Sequence, residues 1–443
     1  MREAARTQVL RLRMTELAPI TPRQRRWRIN IFTATWLSYA GFYFCRKAFG
    51  VVKPELKEAL VVNDFELAWI WTAYLIAYMC GQFLAGWLGA RVACRRLLLV
   101  GMAVSVCCNL VFGASTLLGP AGYWPLMVFM ILNGFAQATG WPGNIGTMAH
   151  WFRKTERGTV IGFWGTCYQL GSAWAKQFAG FMLAWMGAVS WSFWGASVVL
   201  FVIWIVFYFL HRDRPEDIGL PAIVAEELPP VELADDEEAV ADEGWPPGVL
   251  RSLLTMGVTY FSFKFIRYAL DSWSTVFMSE TFDMSTAMSA QIASAFDYVG
   301  FLGVLTAGWV SDRFFGGKRS TIAFAMSVGM VFAVAFMWQF GSSSPLMFGI
   351  SIALVGFTLF GPDSLLSGVG AIDVVSKKRA VLAAGLINGI GSAGPICQEL
   401  IIGYLATYHS LDAVFMLLTV VTLLGVMGTG VLWWWGRTGK SRF

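Results

Sequence analysis

Twelve long apolar stretches restrict the fold of this chain of 443 residues more than any other feature. Hydrophobic residue types make up 56% of the sequence and charged types only 14%, which excludes an ordinary soluble enzyme. Because a bilayer offers no water to backbone groups, each stretch is predicted to be a helix of about 20 residues. The predicted windows are 28–49, 66–90, 96–118, 122–147, 159–184, 188–210, 249–278, 287–311, 320–341, 345–372, 380–406 and 411–435.

Basic residues mark every second junction between these windows. They precede the first window, fill alternate loops and follow the last window, whereas the loops near 119–124, 185–190 and 342–345 contain no Lys or Arg. The positive-inside rule therefore predicts a multi-pass protein of the cell inner (plasma) membrane with both termini cytoplasmic. The loop near 50–66 is mixed in charge. The N-terminal segment lacks the continuous apolar core of a signal peptide, so no cleaved leader is expected.

One acidic segment divides the apolar pattern into two halves. Between Asp213 and Glu243 lie twelve acidic residues and one basic residue, together with several prolines, which is typical of a solvated linker. The predicted organisation is an N-terminal cytoplasmic segment (1–27), a six-helix bundle (28–210), the linker (211–247), a second six-helix bundle (248–436) and a cytoplasmic tail (437–443).

The two halves also repeat each other in sequence. The segment Gly86–Arg91 matches Gly308–Arg313 at an offset of 222 residues, and Arg157 matches Arg379 at the same offset. A loop of this kind packs small residues between helices and places an Arg near the end of a neighbouring helix. It resembles the cytoplasmic loop motif of the major facilitator superfamily, whose two bundles rock around a central site. The predicted gating residues are Arg91, Asp312 and Arg313.

Two arginines lie inside apolar windows of opposite halves. Arg46 and Arg267 are 221 residues apart, close to the repeat offset. A charge near the bilayer centre costs roughly 2.5 to 3.5 kcal/mol on insertion scales, so an anionic partner is expected for each guanidinium. That partner is either a ligand or an internal carboxylate. The candidate carboxylate for Arg267 is Asp271, four residues further along the same helix. The candidates for Arg46 are Asp297, Asp363 or Glu399, from other helices.

Three groups of residues resemble signatures of the organophosphate:phosphate antiporter family within that superfamily. They are Tyr39–Lys47 with Lys53-Pro54; Asn133-Gly134, Gln137, Gly140–Pro142, His150–Phe152 and Glu156–Gly158; and Gly361-Pro362 with Lys377–Ala380 and Ala383–Gly385. The resemblance runs from about Arg25 to Gly436. Members include carriers that exchange glycerol-3-phosphate or hexose-6-phosphate for inorganic phosphate.

The resemblance implies an all-α membrane protein with twelve transmembrane helices in two six-helix bundles. It also implies that Arg46 and Arg267 bind a phosphoryl group, one from each bundle, which agrees with the bidentate match between guanidinium and phosphate oxygens. Gln82 stands where several members carry a Lys, and Tyr168 stands where glycerol-phosphate carriers place a His. The identity of the organic moiety is therefore left open.

Further residues are predicted to surround the arginine pair. Predicted substrate-binding neighbours, which share helix faces with the pair or lie in the matching helices, are Tyr43, Lys47, Tyr78, Gln82, Trp141 and Tyr168. Predicted substrate or coupling residues, chosen as rare ionisable groups inside apolar windows, are Lys176, Asp271, Asp297, Asp363 and Glu399. Whether Lys176 and Glu399 pair with each other is open at this stage.

Several classes of function have no support in the sequence. Seven cysteines without a CxxC spacing and three isolated histidines indicate neither a metal site nor a disulfide framework, and no catalytic or nucleotide-binding motif is present. We expect no cofactor and no nucleic acid, and a monomer in the bilayer that binds a phosphorylated metabolite and inorganic phosphate. Three functions stay open: an antiporter, a sugar-phosphate sensor on the same fold, and a proton-coupled carrier of another organic anion.

Overall fold

The structure, a computed structural model, describes residues 19–89, 91–153, 156–223, 247–315, 319–366 and 380–438. Every predicted window overlaps a helix, and the described residues contain no strand, so the all-α prediction is confirmed. Seven helical segments within these ranges are long and apolar enough, by length and composition, to cross a membrane. The predicted number of twelve spans stays a prediction.

Nine α-helices are described in the first half of the chain. In order they are α1 Pro22–Val51, α2 Lys53–Leu60, α3 Asp64–Gly89, α4 Cys94–Ser115, α5 Tyr123–Gln137, α6 Gly140–Trp151, α7 Arg157–Trp164, α8 Thr166–Met186 and α9 Val189–Leu210. Short 3₁₀ helices occupy Thr116–Gly122 and Pro215–Ile218. The described part of the second half contains α10 Pro247–Phe282, α11 Thr286–Ala293, α12 Ala295–Phe314, α13 Arg319–Phe340, α14 Pro345–Ser364, α15 Ala380–Tyr408 and α16 Leu411–Arg437.

Local sequence explains where these helices depart from the apolar windows. The first helix begins six residues before its window because Thr21 caps it, Pro22 occupies the first turn and Gln24 completes a capping box. The windows 122–147, 159–184 and 287–311 are each divided into two helices. Hydropathy measures the polarity of side chains and therefore does not reveal such breaks in backbone geometry.

The start of the predicted linker is docked on the first half. Leu220 and Ile223 are buried, and Trp151 Nε1 donates a hydrogen bond to the carbonyl oxygen of Arg212 (3.0 Å). Gln24 Nε2 donates to the carbonyl oxygen of Pro221 (3.0 Å). The prediction of a solvated linker from residue 211 onwards therefore differs from the structure up to residue 223, because apolar side chains there are buried. Residues 224–246 lie outside the described ranges.

The two halves meet at one end of the helices, which we call the closed end and define by α2 together with Glu280, Thr286 and Thr407. Lys57 forms an ion pair with Glu280 (2.5 Å), and Thr286 donates to Glu55. Close backbone approach supports these contacts, because a Cβ on Gly403 would lie 2.5 Å from the Cβ of Ala68. The opposite end, which carries Pro22, Asp213 and Arg437, is called the terminal end. Two further hydrogen bonds between the halves run from Phe65 N to Thr407 Oγ1 (3.0 Å) and from Thr275 Oγ1 to the carbonyl oxygen of Gly50 (2.8 Å).

Candidate functional site

Arg46 is buried in α1 and is held by neutral partners. Its Nε donates to Gln137 Oε1 (2.8 Å), and its guanidinium lies 4.9 Å and 4.7 Å from the ring centroids of Tyr43 and Tyr78. Its Nη2 is buried and has no hydrogen-bond partner among the described residues. A buried guanidinium donor without an acceptor is costly, so this atom marks a place where an anion would be stabilised.

Arg267 in α10 has a carboxylate partner. Its Nη1 donates to Asp363 Oδ2 (3.2 Å), and its guanidinium lies over Phe360 (4.8 Å) and Tyr168 (5.6 Å). The alternative that Asp271 pairs with Arg267 is wrong, because Asp271 reaches across to the first half instead. The alternative that Asp363 partners Arg46 is wrong for a similar reason, since α14 brings that carboxylate to Arg267.

The structure brings the two arginines to one cavity between the halves. The cavity has a volume of about 20 Å³, roughly the space of a single water, so a phosphate requires it to widen. It is lined by Tyr43, Arg46, Lys47, Trp71, Tyr74, Leu75, Tyr78, Arg267, Tyr268 and Asp271. Tyr78 was predicted from the sequence, whereas Trp71 and Tyr74, also from α3, were not. Their signal is spacing, because Trp71 and Tyr74 precede Tyr78 by seven and four residues on one helix face.

Three of the predicted substrate-binding residues lie outside this cavity wall. Tyr168 stays near the pair through its ring contact with Arg267. Trp141 packs edge-on against Tyr39 and Trp164, at centroid distances of 5.6 Å and 5.5 Å, so it belongs to an aromatic cluster nearer the terminal end. Gln82 is half-buried one turn beyond Tyr78.

A chain of ion pairs joins the halves beside the cavity. Lys47 pairs with Asp271, and Lys176 bridges Asp271 (2.7 Å) and Asp297 (2.8 Å). Asp297 therefore pairs with Lys176, so the alternative that Asp297 pairs with Arg46 is wrong. Lys47 does not extend to a membrane surface, because the carboxylate of Asp271 lies across the interface from it.

A second ion pair is fully buried at the closed end. Lys53 Nζ lies 2.6 Å from Glu399 Oε1 and 3.5 Å from the centroid of the Trp273 ring. Trp273 Nε1 donates to Glu399 Oε2 (3.2 Å), and Lys53 also donates to Ser272 Oγ (2.8 Å). Glu399 thus pairs with neither Arg46 nor Lys176. Lys53 was assigned to a loop by its charged surroundings, and only the fold shows that it enters the interface.

In the region between the two halves, the basic side chains outnumber the carboxylates. Among the described residues of this region, Arg46 and Lys264 form no ion pair with a carboxylate. Lys264 Nζ donates to Ser392 Oγ (3.2 Å) and lies 4.8 Å from the centroid of the Tyr260 ring. Sequence reasoning missed Lys264, although it precedes Arg267 by three residues on the same helix face. The cations are Arg46, Lys47, Lys53, Lys176, Lys264 and Arg267, and the carboxylates are Asp271, Asp297, Asp363 and Glu399.

The predicted gating loops lie at the terminal end. Arg91 is exposed and its guanidinium stacks on Trp87 of its own helix (4.0 Å), whereas bridging to a neighbouring helix was expected. It also lines an open cavity of about 320 Å³ with Cys94, His150 and Asp213. Arg313 is exposed, and the side chain of Asp312 lies outside the described residues.

Comparisons with known proteins match a family profile and several named relatives. The sequence profile described as Major Facilitator Superfamily matches residues 35–369. The chain is 28% identical over 424 residues to the glycerol-3-phosphate transporter of Bacillus subtilis, covering 94% of each chain. It is 29% identical over 383 residues to the membrane sensor protein UhpC of Escherichia coli, covering 85% of each.

Two further similarities extend these findings. The hexose-6-phosphate:phosphate antiporter of Salmonella typhimurium is 26% identical over 381 residues, covering 83% of this chain and 81% of that protein. Among solved structures, a D-xylose-proton symporter superimposes with a TM-score of 0.71 at 12% identity, covering 91% of this chain and 97% of that chain. At that identity the structural likeness concerns the fold alone.

Proposed function

This chain belongs to the major facilitator superfamily, and we propose from that premise that it exchanges a phosphorylated metabolite for inorganic phosphate across the membrane. It is a multi-pass membrane protein with the fold of transporters rather than of enzymes. Relatives named as a glycerol-3-phosphate transporter and a hexose-6-phosphate:phosphate antiporter support this substrate class. The observation that carries the proposal is the buried, unpartnered Nη2 of Arg46 in a cavity shared with Arg267.

In this proposal the phosphoryl group completes the hydrogen bonding of both arginines. Arg46 offers Nη2, while Gln137 fixes the direction of its guanidinium plane. Arg267 approaches from the other half and is oriented by Asp363. Guanidinium forks bind phosphate oxygens in charge-assisted pairs, and the surrounding aromatic rings exclude water and so strengthen those pairs. Tyr43 and Tyr78 add cation–π contacts that hold Arg46 in place without neutralising it.

The arrangement also supports alternating access. The halves are joined at the closed end. In this proposal the terminal end faces the cytoplasm, as the positive-inside rule predicts, and the ligand enters from that side. A ligand that contacts Arg46 and Arg267 together draws the two halves towards each other around the cavity. Without an anion, closure brings two cations together in a low-dielectric space, which disfavours reorientation of the empty site. Exchange is then favoured over net transport.

Counterflow in proteoliposomes tests the proposal. Vesicles loaded with inorganic phosphate are expected to take up labelled phosphate or glycerol 3-phosphate rapidly, and Arg46→Lys or Arg267→Lys is expected to abolish uptake because an ammonium lacks the planar fork. Arg96→Lys, at an exposed arginine of the terminal end, is the matched control and should retain exchange. Wild-type rates in either cavity variant would contradict the assignment of the phosphate site.

The sensor alternative rests on the similarity to the membrane sensor protein UhpC. The same cavity would then bind a sugar phosphate without moving it. Binding of glucose 6-phosphate to the purified protein, measured by calorimetry and lost in Arg46→Lys, combined with no counterflow in the same preparation, favours the sensor. Uptake that requires an imposed pH gradient and no internal phosphate would favour proton coupling instead.

A further inference from the structure

Lys264 is the central cation whose charge the phosphate site leaves unused. It stands on α10 three residues before Arg267, and therefore about 4.5 Å nearer the terminal end along the helix axis. It forms no ion pair with a described carboxylate and is absent from the wall of the cavity that contains Arg46 and Arg267. A phosphoryl group held by the arginine pair therefore lies one helical turn away from this ammonium.

The partners of Lys264 hold its ammonium in place but do not neutralise it. Ser392 Oγ accepts from Lys264 Nζ (3.2 Å) and donates its own proton to the carbonyl oxygen of Asn388 (2.8 Å). The Tyr260 ring supplies a cation–π contact. The neighbouring carboxylate of Asp363 is bound to Arg267. Arg267 and Lys264 therefore share the negative charge of this one carboxylate, and one positive charge stays uncompensated inside apolar helices. Such a charge is costly, and an anionic ligand group beside Lys264 lowers that cost.

We propose that Lys264, positioned by Ser392, forms a second anion subsite that binds a carboxylate of the transported metabolite. The inference rests on the proposed function and narrows the substrate class to phosphorylated carboxylic acids. The phosphoryl group lies at the arginine pair, and the carboxylate extends one turn along α10 towards the terminal end. An ammonium with three donors suits a single carboxylate, whereas the planar arginines suit the phosphoryl group.

Two three-carbon probes isolate the effect of the carboxylate. 3-Phosphoglycerate and glycerol 3-phosphate differ only in bearing a carboxylate or a hydroxymethyl group at the far end. In phosphate-loaded proteoliposomes, the wild-type KM for 3-phosphoglycerate is expected to be lower by about tenfold or more, the effect of one charged hydrogen bond. Lys264→Gln is expected to remove that preference while leaving the KM for glycerol 3-phosphate and the rate of phosphate self-exchange nearly unchanged. Lys264→Arg keeps the positive charge and should retain most of the preference for 3-phosphoglycerate.

The outcomes separate this inference from the proposed function. If the wild type catalyses phosphate self-exchange and glycerol 3-phosphate exchange but does not prefer 3-phosphoglycerate, the second subsite is refuted and the exchange function stands. Equal losses for both probes in Lys264→Gln would show a structural role and would also overturn the subsite. Absence of phosphate self-exchange in the folded wild type would instead refute the proposed function.

Discussion

Replacing Glu399 with Gln is expected to open the closed end. This carboxylate from α15 is fully buried and lies 2.6 Å from Lys53 of the first half, so the ion pair spans the interface between the halves. At 2.6 Å the attraction is about 6 kcal/mol for an effective dielectric constant of about 20. The Gln amide oxygen, Ser272 Oγ and the Trp273 ring stay near Lys53 in the closed state, but all three are neutral and its counter-charge is lost.

The net effect is smaller than this attraction because desolvation opposes it. Removing one partner of a buried ion pair typically destabilises the structure that buries it by about 3–5 kcal/mol. Opening the closed end exposes Lys53 to water, so the penalty falls on the closed state alone. The ratio of closed to open molecules should therefore fall by a hundredfold or more, because about 1.4 kcal/mol corresponds to tenfold.

Spin labels at Glu58 and Thr281 report this change. Both residues are exposed at the closed end, and their neighbours Lys57 and Glu280 form an ion pair of 2.5 Å. In a cysteine-free background, double electron–electron resonance should give a short distance for the parent protein and a longer population in Glu399→Gln.

The matched control removes both charges together. In Lys53→Met with Glu399→Gln no charge remains unpaired, and replacing a buried pair by neutral groups is often close to neutral, so the short distance should return. A short distance in the single variant, or an equally open double variant, would refute the reasoning that an unpaired Lys53 drives the opening.

Three further outcomes are expected. Gly303→Ala should lower the melting temperature, because its Cβ would lie 2.1 Å from the carbonyl oxygen of Phe357, whereas Gly308→Ala on the same helix meets nothing within 4 Å and should not. Gly403→Val should reduce exchange by hindering closure against α3, with the folded fraction checked by size-exclusion chromatography. Burial alone would raise the pKa of Glu156, but the hydrogen bond from Arg28 lowers that pKa from 4.5. The parent protein should therefore melt at a higher temperature than Glu156→Gln. This difference should be complete above pH 4.5 and should vanish as the pH falls through the lowered pKa.

The sequence predicted the helices well because their signal is local. Apolar length and the need to satisfy backbone groups within each span place a helix in every window. Helix ends such as Thr21 depend on capping groups that hydropathy does not measure. The divisions within three windows depend on backbone geometry, so they were absent from the prediction.

The residues of the candidate site were predicted less completely than the helices. The repeat offset and the intramembrane charge identified Arg46 and Arg267, and the structure places both on one cavity. The carboxylates considered as alternative partners of the two arginines pair differently in the structure, except that Asp363 does pair with an arginine, Arg267 rather than Arg46. A carboxylate four residues away on the same helix competes with carboxylates from every helix packed nearby. Lys53 and Lys264 were not predicted as residues of the interface or the site. Lys53 lies in a sequence with the charge of a loop, and Lys264 belongs to no recognised motif.

The sequence by itself determined the class of this protein. The features that did so are the apolar spans, the alternation of basic loops, the acidic segment between the halves and the two arginines in matching positions. These follow from the bilayer as solvent, which acts on each segment separately. Only the tertiary structure decided which charges neutralise each other. Ion pairing depends on distances of a few ångströms between helices far apart in the chain, and that geometry leaves Arg46 Nη2 and Lys264 without a carboxylate among the described residues.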